Sequence, residues 1–261
     1  MTAVVAAIGK NGARRLSTFG GLARFALAGG RAVMRLTPTG RLVMLRVLIN
    51  QIRFTALQAI GLVALLSGIL SFLVIAQATQ TLGSLGATER IGQIIVVAVI
   101  RELGPLLTAL IVVSRSGTAI AAEMATNRVM GEVTALEAMG IDPFIYLVVP
   151  RFLGAVVSVT CLMIVFDAVA LSAGFIGAKI AGQMSFFSYR TIVLATLSAK
   201  DVWITLIKGV FYGASVSLFC MYHGLSVTAG PTEIPQAVTR GVVGTIVSIF
   251  VMSAVFVAVF A

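Results

Sequence analysis

An all-α, polytopic membrane fold of five spanning helices is what this sequence predicts. Three features predict it: the composition, the length of the charge-free stretches, and the placement of basic residues around them. Hydrophobic residues make up 59% of the 261 and charged residues 11%, against about 25% charged in a soluble domain. No Asp, Glu, Lys or Arg occurs in 54–88, 152–166, 209–232 or 241–261. About 20 apolar residues cross a bilayer as helix. In hydrocarbon every backbone N–H and C=O must be paired within its own segment, so runs of this length are helices. A barrel is excluded because the runs do not alternate in polarity.

The chain divides into a basic interfacial segment, 1–53, and a single transmembrane domain, 54–261. The first holds nine Lys or Arg and no acidic residue. Arg24, Arg31 and Arg35 share a helical face, with Phe25, Leu27, Val33 and Leu36 around the others, which predicts an amphipathic helix lying on the membrane. Pro38 and Gly40 interrupt it, and a second helical stretch with Arg46 and Arg53 leads into the first span. Spans are predicted at about 54–77, 91–114, 146–178, 202–224 and 238–260, the third long enough to tilt or to begin outside the lipid.

A cytoplasmic N-terminus places 13 of the 19 basic residues inside, satisfying the positive-inside rule with the C-terminus outside. The net charge of +10 therefore points to anionic membrane lipids and not to nucleic acid, since the basic residues flank apolar spans. No internal repeat is visible, and an odd span number disfavours two inverted halves. A homodimer supplies symmetry instead. The outer loop from Lys179 to Lys200, with Met184, Phe186, Phe187 and Tyr189, reads as an aromatic anchor at the interface.

Ionisable residues inside spans mark the chemistry. The run RELGPLL from Arg101 puts Arg101 and Glu102 in lipid, where each charge costs about 2.5–3.5 kcal/mol on insertion scales. They are expected to face a protein or water-filled interior, as the lining of a substrate pathway or as an interhelical ion pair. Pro105 lacks an N–H, so the Arg101 carbonyl loses its helical partner and a kink is expected. Being consecutive, Arg101 and Glu102 point about 100° apart and should take separate partners. Asp167 and Lys208 are expected to be paired structurally. His223 is the only histidine, so no metal site or His-based triad is expected. Cys161 and Cys220 read as inert thiols within spans.

Between the second and third spans, residues 116–143 are too polar for lipid and too apolar for a free loop. They read as one broken helix or two short ones, with Gly131 at the break and Gly140, Asp142 and Pro143 as the stop. Glu123, Arg128, Glu132 and Glu137 are candidate polar contacts for a cytoplasmic protein, and Met130, Val133 and Leu136 candidate apolar ones. The other reading is a helix resting on the bilayer. No G-x-x-x-x-G-K-[ST] phosphate loop occurs, so ATP is not expected to bind this chain in that manner.

The stretch from Arg101 to Arg151 resembles the MlaE permease family. Arg101, Glu102, Gly104 and Pro105 recur in order with Arg115, Gly117, Ala122, Glu123, Glu132, Ala135, Leu136, Gly140, Asp142, Pro143, Pro150 and Arg151. Weaker similarity runs through Lys208, Phe211, Tyr222 and Gly224. The chain departs from the family at Gly131 and Glu132, where paired acidic residues are common, and at GPTEIP from Gly230. The resemblance implies a homodimeric, non-catalytic permease of the bacterial inner membrane. It also implies a cytoplasmic ABC ATPase that binds the ATP, an MCE-domain partner, transport of phospholipid or another hydrophobic molecule, and a coupling helix after Gly117. The alternative is a secondary transporter using Arg101, Glu102 and Asp167 as a charge relay.

Overall fold

The computed structural model describes Gly21 and residues 38–84, 94–180, 185–228 and 230–260. The amphipathic helix expected over Arg24–Arg35 lies outside the described residues. Five helices are long and apolar enough to cross a membrane: Leu45–Thr81, Val96–Val129, Phe144–Ile180, Ala199–Leu225 and Pro231–Phe260, here spans 1 to 5. The described residues contain no strand.

Pro38 opens the helix Pro38–Ile52, a position where its missing N–H is no loss. From there the helix runs through a π-helical turn at Arg53–Leu57 into span 1, so the division drawn at residue 53 falls inside continuous helix. Thr55, Ala59, Val63, Ser67, Ser71, Ile75 and Thr79 are buried at every fourth position. That stripe lies against span 3, where Gly154, Gly174 and Gly177 let the backbones approach. A Cβ on Gly177 would sit 3.1 Å from the Phe72 carbonyl, and Ser71 Oγ donates to the Ala170 carbonyl at 2.6 Å. Lipid gives no hydrophobic drive between apolar helices, so close contact through small residues and such hydrogen bonds holds them.

Span 3 packs span 1 on one side and span 4 on the other. Gly213 of span 4 leaves no room for a side chain: a Cβ would lie 2.7 Å from Val156 Cα. Span 5 packs on span 4 through Ala237, Gly241, Thr245, Ile249 and Ser253, again every fourth residue. Its other face, including Val243, Val247, Phe250 and Val251, is exposed.

Span 2 departs most from expectation. The helix continues past residue 114 to Val129, because the polar stretch Thr118–Val129 contains no breaker and buries Ile120, Ala121, Met124 and Ala125. These pack on Cys220 and Met221 of span 4 and on Val227 and Ala237. The expected break is at Gly131, with φ 78°, followed by a short helix, Glu132–Ala138, and a second left-handed glycine, Gly140, with φ 73°. Glycine alone takes that conformation without a Cβ penalty.

Between spans 3 and 4, Ser185 caps a helix over Phe186–Thr196 by accepting from the Ser188 N–H at 3.2 Å. Phe187 is exposed, as an interfacial anchor would be, but Tyr189 is packed. Its hydroxyl donates to the Leu171 carbonyl at 2.9 Å and its ring meets Phe175 at 5.7 Å. Burial pushes the Tyr189 phenol up to about 12.

Candidate functional site

Alternating direction brings the start of span 2, the start of span 4 and the end of span 5 to one end of the bundle, here the Asp201 end. Four ionisable side chains meet there in two pairs. Arg101 Nε donates to Asp201 Oδ1 at 2.6 Å, and Lys208 Nζ to Glu102 Oε1 at 2.8 Å. Separate partners for the consecutive Arg101 and Glu102 are what their helical directions require. Asp201 and Lys208 are two turns apart, about 10 Å along the axis, whereas Arg101 and Glu102 differ by about 1.5 Å in rise. The long Arg and Lys stems bridge that mismatch.

Each charge is also held by further groups. Lys208, almost fully buried, donates to the Arg101 carbonyl at 2.6 Å and lies 5.8 Å from the Phe256 ring centroid. Two of its N–H groups thus meet oxygens and the ammonium faces a π-surface. Glu102 Oε2 accepts from Ser253 Oγ at 3.4 Å, tying span 5 to the pair. Asp201 Oδ2 accepts from the Ser198 N–H at 2.8 Å as part of a capping box at the start of span 4. The helix dipole favours a carboxylate in that position. Pro105 is buried, and the irregularity expected beside it takes the form of a π-helical stretch over Ile95–Leu103.

Accessibility is divided unevenly. Arg101 and Glu102 keep 32% and 34% of their side chains exposed, while Asp201 and Lys208 keep 0% and 2%. The span 2 residues present the charge, and the span 4 residues hold it. Asp167 is a correction to the expected pairing: its Oδ1 is buried without a hydrogen-bond partner, about 3.1 Å from where a Cβ on Gly104 would lie. The cations of the two neighbouring pairs are already engaged.

At the opposite end, here the Arg128 end, Arg151 Nη2 donates to Glu123 Oε1 at 2.6 Å, and Arg151 Nη1 donates to the Leu147 carbonyl at 3.0 Å. This ties the extension of span 2 to the start of span 3. Glu123 is therefore paired within the chain. With its amide oriented for the surrounding acceptors, Asn127 donates to Glu132 Oε2 at 3.3 Å and to the Glu123 carbonyl at 3.1 Å. Arg115, two turns before Glu123, reaches Gln58 of span 1 through its carbonyl and, at 3.2 Å, its side-chain oxygen.

The seven residues proposed for docking separate into two sets. Met130 is 72% exposed, and Glu123, Arg128, Glu132 and Glu137 are exposed with it, Glu123 being paired with Arg151. Val133 is buried and Leu136 partly so, both packed with Ile120, Met124, Leu147 and Met221. The apolar positions expected to face outward are thus corrected for Val133 and Leu136: their own chain covers them, because the helix after Gly131 folds back on the bundle. Met139, 65% exposed, joins Met130 on the uncovered side.

Sequence reasoning passed over Asp201, Ser253 and Phe256. The signal for Asp201 was present, since Ser198-x-x-Asp201 is a capping-box pattern. Nothing local marks Ser253 or Phe256, which matter only because span 5 ends beside Glu102.

The chain also resembles known proteins. The family profile described as permease MlaE matches residues 48–259. A probable ABC transporter permease protein of Rickettsia prowazekii is 30% identical over 207 residues, 79% of this chain and 80% of that protein. The intermembrane phospholipid transport system permease protein MlaE of Haemophilus influenzae is 30% identical over 198 residues, 75% and 76% of the two chains. A second probable ABC transporter permease protein, from Rickettsia felis, is 28% identical over 244 residues, 94% and 92% of the two.

Proposed function

This chain belongs to the MlaE permease family, and from that premise we propose that it moves phospholipid or another hydrophobic molecule between the bacterial inner membrane and an MCE-domain protein. It does so as a homodimer, without catalytic chemistry of its own, and a separate cytoplasmic ABC ATPase binds and hydrolyses the ATP. The Arg128 end is cytoplasmic and the Asp201 end faces the periplasm, as the basic residues favour.

The observation that carries this reading is the continuity of span 2. One helical run, Val96–Val129, joins the charged residues at one end to the Gly131 break and the half-covered Glu132–Ala138 helix at the other. A continuous helical run of about 50 Å carries displacement along its axis. Force applied by an ATPase to Met130, or to Glu132 or Glu137 through the tight turn at Gly131, reaches Arg101 and Glu102 along this one helical run. Their accessible third meets a lipid headgroup, and Pro105 with the π-helical stretch before it supplies the place where the helix gives. A charge relay through Arg101, Glu102 and Asp167 is disfavoured because Arg101 and Glu102 are each engaged in an ion pair, neither of which includes Asp167.

The test is purification in mild detergent from native membranes, followed by reconstitution. An ATPase and an MCE-domain protein should copurify, and lipid transfer to the MCE protein should require ATP hydrolysis. Transfer by the chain alone, driven by an ion gradient, overturns the reading.

A further inference from the structure

The four charges at the Asp201 end lie below the rim of the bundle. Gly209 of span 4 packs on Thr160 of span 3, and Gly213 packs on Val156. Carried back to the start of span 4, that antiparallel register sets Asp201 level with Ala168. Gly104 of span 2 packs on Phe166 and Asp167, which gives Arg101 and Glu102 nearly the same level. Span 3 continues from there to Ile180, roughly 18 Å further along its axis. On this overhang Ile176 and Ile180 are 53% and 70% exposed, and Leu73 of the adjoining span 1 is 57% exposed. Such a surface suits hydrocarbon, so the charges sit inside the bilayer, where an unbalanced charge is costly.

The cluster itself is balanced, Arg101 and Lys208 against Glu102 and Asp201. Asp201 and Lys208 are buried, but the two accessible members keep unused capacity. Arg101 gives Asp201 its Nε, and none of the described residues accepts from its Nη groups. Glu102 binds Lys208 through Oε1, while Oε2 has only the long contact with Ser253, 3.4 Å. A guanidinium edge and a carboxylate oxygen are thus left on neighbouring residues, each about a third accessible.

We propose that this cluster selects a zwitterionic phospholipid over an anionic one, with the phosphate on the Arg101 Nη groups and the ammonium on Glu102 Oε2. This rests on the transport reading and names the headgroup carried. A guanidinium presents paired donors that match phosphate oxygens, and the carboxylate one residue on supplies the opposite charge. A headgroup bearing both charges enters the balanced cluster without upsetting it. Phosphatidylglycerol brings a negative charge into a site whose two cations are already paired. Asp167, buried beside Gly104 with no hydrogen-bond partner for its Oδ1, can only add negative charge and so acts in the same direction.

The test uses the purified full-length chain, stripped of lipid in mild detergent and offered equal amounts of phosphatidylethanolamine and phosphatidylglycerol with matched acyl chains. Lipid retained after size exclusion is quantified by mass spectrometry. Wild type should retain at least several-fold more phosphatidylethanolamine. Glu102→Gln removes the partner of the ammonium and leaves the cluster with a net positive charge, so the order should reverse. Arg101→Gln should lower total retention several-fold with no gain for phosphatidylglycerol. Arg190→Gln, at an exposed cation of the same end outside the cluster, should keep the wild-type ratio. Equal or inverted retention by wild type, or an unchanged preference in monodisperse Glu102→Gln, overturns the selectivity and leaves the transport reading in place. Retention of neither lipid by wild type overturns both. The wild-type ratio decides the matter even where a variant fails to fold.

Discussion

Lys208 Nζ donates to the main-chain carbonyl of Arg101 at 2.6 Å, the carbonyl for which Pro105, four residues later, has no N–H. A defect in span 2 is thus completed by a side chain from span 4. The same ammonium neutralises Glu102, so one buried lysine serves both the backbone and the charge of its neighbour.

Lys208→Met should be the most damaging single change at this end. It leaves Glu102 and the Arg101 carbonyl without their partner, and breaking a buried pair from one side costs about 3–5 kcal/mol. Glu102→Gln with Lys208→Met should lose less than the two single losses combined. Thermal stability in detergent, followed by size-exclusion profile, measures the cycle. Strict additivity would show that the pair does not couple spans 2 and 4.

Arg151→Met should destabilise the chain more than Glu123→Gln. Arg151 is buried and also serves the Leu147 carbonyl, whereas the Glu123 side chain is 49% exposed. A buried group left unpaired is costly, and a half-exposed one recovers water. The same melting assay ranks the two variants, and equal losses would contradict the assignment.

Gly213→Leu and Gly224→Leu should each push span 4 off a neighbour. A Cβ at Gly224 would lie 2.6 Å from the Ala121 carbonyl, and one at Gly213 2.7 Å from Val156 Cα. Both obstacles are backbone and cannot rotate away, so overpacking of about 1–3 kcal/mol or more is expected. Gly61→Ala, with nothing within 4 Å of its Cβ position, should be neutral or stabilising by up to about 1 kcal/mol. The yield of monodisperse protein and its melting point check all three.

If an ATPase drives this chain as proposed, Met130→Asp and Glu132→Lys should weaken its copurification, or uncouple hydrolysis from transport, with little change in melting, because both side chains are exposed and Glu132 gives up only its contact with Asn127. Val133→Asp should lower the melting point first, since Val133 is packed inside the chain. Normal ATPase binding, hydrolysis and transport in the first two would leave the Glu132–Ala138 helix as a membrane-resting element.

Sequence alone determined the class of this protein, its five spans and the places where the helix after span 2 must break. Each of these follows from a local quantity: the number of apolar residues needed to cross hydrocarbon, the missing N–H of Pro105, the freedom of Gly131 to take positive φ. It also showed that Arg101 and Glu102 need separate partners, because adjacent helical positions diverge. Who those partners are was decided only by tertiary structure. Asp201 and Lys208 lie about 100 residues away along the chain, and their pairing depends on which ends of spans 2, 4 and 5 come together. Helix length was likewise misread at span 2. Hydropathy reports the solvent a segment suits, whereas Thr118–Val129 stays helical by burying Ile120 and Met124 against span 4. Val133 and Leu136 turned inward for the same reason: an amphipathic pattern tells that a face is covered, and only packing tells by what.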